Sequence, residues 1–155
     1  MLANSKPAIF LNLNMPILNY TTKIDPDKTC AEIGRILSSH GAQAVMTEYD
    51  QENHLVSALS FKIDLGEKKI AFRLPADWRP VQRVLREQRI KADQAMAVRV
   101  SWRILRDWVL AQMALFEAKQ IAIPQLLLGF AMANKDKTVY QVIQEKGLFL
   151  GSGEK

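Results

Sequence analysis

Six arginines fall into two sets with one spacing. Arg79, Arg83 and Arg86 stand at i, i+4 and i+7, and Arg99, Arg103 and Arg106 repeat the pattern. Residues three and four apart are neighbours on a helix, so each set makes one helical face. A guanidinium is a planar fork that bonds phosphate or carboxylate through two donors and stacks on rings. The pattern points to a phosphate backbone or an acidic protein surface. A solvated face with internal ion pairs, which is what charged helix faces usually are, looks the same, with Asp77 near Arg79 and Asp107 near Arg103. No aromatic residue interleaves the first set, which weighs against base stacking on a single strand.

The charge is local. Residues 73–106 hold eight of the nine arginines plus Lys91, against Asp77, Glu87 and Asp93. The remaining residues carry twelve positive and thirteen negative charges, so the net +5 arises from this one stretch.

Other chemistry finds little footing. The chain has two histidines, His40 and His54, and one cysteine, Cys30. Neither histidine sits at metal-ligand spacing, and a lone cysteine supports no structural zinc site. Asp25 and Asp27 open a helix, where capping explains them. Glu48, Asp50 and Glu52 surround a turn but lack the spacing of a calcium loop. There is no phosphate loop, dinucleotide glycine fingerprint or nucleophile elbow. The expectation is a protein that is not an enzyme and carries no metal or cofactor.

The elements that position the arginines follow from periodicity. Residues 17–24 alternate, with Leu18, Tyr20, Thr22 and Ile24 on one face, as in a strand. Asp25-Pro26 starts a helix, since Asp25 can cap free N–H groups and Pro26 lacks one. Cys30, Ile33, Ile36 and Leu37 form its apolar stripe, and Gly41 after His40 ends it. A second strand is expected over 43–49, with a polar turn at 50–53. A third carries Leu59, Phe61, Ile63 and Leu65 on one face. Gly66-Glu67 is a hairpin signal. The fourth buries Ile70, Phe72 and Leu74, and Pro75 stops it.

From Asp77 the pattern is helical, first over 78–90 and then from Asp93 towards Lys119. Trp102 and Trp108 lie on or near the apolar stripe of this second helix and are read as core. Its later half, Trp108 to Phe116, is apolar nearly all round, which requires cover by the chain itself or by a partner. Gln125 to Met132 reads as one or two helical turns. Thr138 to Lys146 reads as a last helix, ended by Gly147. The expected fold class is α+β: a β-α-β-β-β antiparallel sheet packed against a C-terminal helical half.

At 155 residues the chain fits one domain. Residues 17–147 are assigned to it, with 1–16 as a flexible extension (Met15 is an alternative start) and 148–155 as a disordered tail. The single cysteine suits a reducing compartment, so a cytoplasmic location is expected. No stretch reaches the length of apolar sequence that spans a membrane. Cys30 is read as a small buried hydrophobe.

The stretch from Leu18 to Gly147 resembles a family of small proteins encoded in bacteriophages and mobile genetic elements. The segments that carry the likeness are Asn19-Tyr20-Thr21-Thr22, Leu37 through His40-Gly41-Ala42, Ala58-Leu59-Ser60-Phe61 and Ile70-Ala71-Phe72-Arg73-Leu74-Pro75. Trp102-Arg103-Ile104-Leu105-Arg106-Asp107-Trp108 with Ala111-Gln112 completes them. The resemblance implies a viral or mobile-element context and no residue roles. The reading is an accessory factor that contacts nucleic acid, or a nucleoprotein partner, through Arg79, Arg83, Arg86, Arg99, Arg103 and Arg106. The alternative is a protein-interaction module that oligomerises or inhibits a host protein, motivated by Trp108–Phe116 and Leu126–Met132.

Overall fold

A computed structural model of the chain describes residues 15–147. The expected tail at 148–155, and the extension up to residue 14, lie outside the described residues. The first helix, α1, spans Pro26–Ser39, with Asp25 accepting from the Asp27 N–H at its N-terminus. Gly41 follows with φ +100, a left-handed conformation that a side chain disfavours. Three strands come next: β1 (Ala42–Tyr49), β2 (Val56–Asp64) and β3 (Lys69–Pro75). They form an antiparallel sheet in the order β1-β2-β3. The helices α2 (Trp78–Glu87), α3 (Gln94–Glu117), α4 (Ile123–Leu126) and α5 (Val139–Lys146) follow, with a 3-10 turn at Leu128–Phe130 between the last two.

Two expectations fail in instructive ways. Residues 17–24 are not a strand but a strap. Tyr20 N–H donates to the Ile17 carbonyl and Thr22 N–H to the Asn19 carbonyl, and Asn19 sits at φ +63. That left-handed residue, which asparagine tolerates better than most, puts Ile17 and Tyr20 on the same side. The sheet therefore has three strands. Leu65 is 44% exposed rather than inward, because β2 ends at Asp64 and Leu65 already belongs to the turn.

Two cores result. Cys30, Ile33 and Leu37 of α1 and Val98, Trp102, Val109 and Met113 of α3 pack on Leu59, Phe61, Ile63, Phe72 and Leu74 of the sheet. A smaller core joins Leu85 of α2, Ala92 of the turn between α2 and α3, and Val100 of α3, with Ile17 and Tyr20 of the strap packed against it. Trp102 is fully buried and its indole N–H donates to the Val56 carbonyl at 3.1 Å. Trp108 is half-buried and meets Phe130 edge-on at 5.4 Å. The end of α3 is not wrapped all round: Leu110 is 43% and Phe116 38% exposed.

The free edge of β3 is covered. Met132 N–H donates to the Ala71 carbonyl at 2.8 Å, and Ala131 bridges Phe72. Among the described residues no strand pairs with the outer edge of β1, which has bulges near Gln43 and Tyr49. Cys30 is 6% exposed. Burial, helped by the negative charges of Asp27 and Asp25, pushes its thiol up to about 12. In the folded protein Cys30 is expected to ignore a thiol-specific disulfide reagent at mildly alkaline pH and to react once guanidinium unfolds the chain. Rapid reaction of the native protein would contradict this packing.

Candidate functional site

The two arginine sets meet different fates, because tertiary packing divides them. On α3, Arg103 Nη1 lies 2.9 Å and Arg106 Nε 3.3 Å from Glu32 Oε2 of α1. Arg106 also pairs with Asp107 at 3.0 Å. Asp107 in turn accepts from Asn19 Nδ2 of the strap at 2.7 Å. These arginines are 16% and 25% exposed and serve as an internal clamp between α1 and α3. Burial is the largest single influence on Glu32 and opposes its ionisation. Hydrogen bonds and charge from Arg103 and Arg106 together outweigh it and hold its carboxyl below the usual range. Asp107 is likewise lowered: burial opposes, but Asn19 and Arg106 prevail.

On α2, Arg79 is exposed, pairs with Asp77 at 3.4 Å and stacks on Trp78 at 5.1 Å. Arg83 and Arg86 point to solvent, and neither has a carboxylate partner among the described residues. The end of α2 decides where they lead. Arg89 N–H donates to the Arg86 carbonyl and Ile90 N–H to the Leu85 carbonyl, with Arg89 at φ +61. This is a helix-ending motif in which glycine usually takes the left-handed place. The turn folds Lys91 and Ala92 back towards α2, where Gln82 Nε2 donates to the Ala92 carbonyl at 3.2 Å and Arg86 Nη2 at 3.5 Å.

The strap closes this corner. Ile17 N–H donates to Gln88 Oε1 at 2.9 Å, and Gln88 Nε2 donates to the Met15 carbonyl at 3.1 Å. Residue 15 is thereby tied to the end of α2. A cleft of about 620 Å³ opens between strap, α2 and α3, lined by Lys23, Arg86, Lys91, Asp93, Met96 and Arg99. Asp93 caps α3, accepting from the Met96 N–H at 2.8 Å. Arg99 is half-buried, and its Nε is buried without a hydrogen-bond partner among the described residues.

Of the six arginines, the structure brings Arg86 and Arg99 together in the cleft and leaves Arg83 on the adjoining face of α2. Arg79 lies at the far end of α2, and Arg103 and Arg106 face α1. Lys23 and Lys91 belong to the basic corner and were not singled out by spacing. Lys91 lies in the charge-rich stretch and could have been suspected. Lys23 arrives through the strap, which no local signal announces.

A second polar group sits on the outer sheet face. Arg73 Nη2 lies 2.9 Å from Glu48 Oε2, and Ser60 Oγ also donates to Glu48. Burial opposes ionisation of Glu48 most, yet the Ser60 and Arg73 hydrogen bonds hold its carboxyl below the ordinary range. A carboxylate so neutralised is a poor general base. Beside it a cavity of about 560 Å³ is lined by Arg73, Pro75, Phe130, Tyr140, Gln141 and Gln144 among others. Among the described residues no three histidine, cysteine or carboxylate side chains are grouped to hold a metal ion. No helix among them is long and apolar enough to cross a membrane. No family model, curated protein or solved structure matches the chain.

Proposed function

We propose that the chain is a non-enzymatic binding protein that engages the phosphate groups of nucleic acid at the corner of α2 and α3. The observation that carries this reading is the set of basic side chains without carboxylate partners there. Lys23, Arg86, Lys91 and Arg99 line one cleft, Arg83 lies one turn before Arg86 on α2, and none of the five pairs with an acid among the described residues. Ion pairing already occupies Arg79, Arg103 and Arg106, so these three drop out of the proposed surface. The resemblance to phage and mobile-element proteins is compatible with an accessory role in handling nucleic acid.

Each phosphate contact releases counterions, which sets the test. Affinity for a labelled duplex, read by anisotropy at about 50 and 200 mM salt, should give a log–log slope near −0.9 per contact, and near −0.7 on a single strand. Arg83→Glu with Lys91→Glu should weaken binding at least about tenfold at low salt. Lys62→Glu with Lys69→Glu makes the same change in net charge on exposed strand positions and should cost much less. No binding at low salt, or equal losses from both pairs, would remove the site.

A second reading has its own observation. The β1 edge, unpaired among the described residues, carries Val45, Met46 and Tyr49 at 39%, 59% and 52% exposure. Unpaired strand edges accept an added strand. Light scattering that finds dimers, lost on placing a proline in β1, would favour a protein-interaction module.

A further inference from the structure

We infer that the cleft between the strap, α2 and α3 holds a terminal phosphomonoester of a nucleic-acid strand rather than an internal backbone phosphate. The inference rests on the nucleic-acid reading above and narrows it. Four cations, Lys23, Arg86, Lys91 and Arg99, line one concavity of about 620 Å³, opposed only by Asp93. The Asp93 carboxylate is already engaged on the Met96 N–H at 2.8 Å. A diester phosphate brings one negative charge, whereas a monoester brings about −1.5 to −2 near neutral pH. The concentration of positive charge matches the second.

Depth argues the same way. Lys91 and Arg86 are exposed and make the rim, while Arg99 is half-buried with its Nε wholly out of solvent. An internal phosphate is flanked by sugar on both sides and meets an open surface best. The end of a strand can present its phosphate into a recess.

The test compares one oligonucleotide sequence in three forms: 5′-phosphorylated, 3′-phosphorylated and unphosphorylated. A phosphorylated end should bind at least about tenfold tighter than the hydroxyl form, and which end does so identifies the source. The preference should shrink as pH falls below about 6, where the monoester loses its second charge and the diester does not. Arg99→Gln should erase the preference, and so should Lys91→Gln, an exposed position where folding is not at stake. Equal affinity for all three forms overturns the inference and leaves the backbone reading standing. Variants that weaken all three forms equally do the same. Failure of every form to bind removes both.

Discussion

Trp102→Ala is expected to remove most of the chain's stability at room temperature. The side chain has no exposed surface and joins α3 to the sheet. Truncating a buried tryptophan costs about 3–5 kcal/mol, more where the cavity cannot collapse. The Val56 carbonyl also loses the indole N–H that approaches it at 3.1 Å. An unsatisfied buried acceptor adds about 1–3 kcal/mol. A domain of ordinary stability has only about 5–15 kcal/mol in all. Urea titration followed by circular dichroism should show the transition displaced to very low denaturant. Trp102→Phe keeps most of the apolar contact and loses the hydrogen bond, so it should retain a cooperative transition at a reduced midpoint. If Trp102→Ala unfolds like the native protein, α3 does not dock on the sheet as described.

Glu32→Ala should have the next largest effect. It leaves Arg103 and Arg106 facing α1 with their shared carboxylate gone. Hydrogen bonds to charged groups contribute about 1.5–3 kcal/mol, and stranding a buried charge costs more. Since the Glu32 side chain is 22% exposed, water recovers part of this, and a loss of about 2 kcal/mol is expected. That corresponds to a fall in Tm of about 4–8 °C for a chain of this size. The pH dependence supplies a second readout. The folded-state pKa of Glu32 is depressed from 4.5, so its contribution is complete above that value and disappears as pH falls through the depressed one. Glu32→Ala should therefore flatten the acid limb of stability against pH. An unchanged acid limb would mean that the ion pairs carry no net stabilisation.

The elements with a chemical punctuation mark were legible in the sequence. Asp25 and Pro26 open α1, Gly66 turns the hairpin at φ +92, and Pro75 closes β3. Thr138 and Gln141 form a capping box at α5, which Gly147 ends in a left-handed conformation. The strap was not legible, because alternation over a few residues also suits a turn whose i and i+3 side chains face one way. The arginine sets show the deeper limit. Spacing defines a helical face, but the partner on that face comes from elsewhere. Glu32 reaches Arg103 from 71 positions away. Nothing local distinguishes Arg99, left without an acid, from Arg103, which has one. In the same way Arg89 takes a left-handed position without the glycine that would have announced it.

The Gln88 clamp has a consequence for biosynthesis. Its amide grips the Ile17 backbone across 71 positions of sequence. At about 5–20 residues per second, a ribosome takes about 4–14 s to add that much chain. During that interval Leu85 and Val100, against which Ile17 and Tyr20 pack, are still to be made or are being made. The nascent chain thus carries an unburied apolar segment well before its docking site exists, and such a segment is a place for a chaperone to bind.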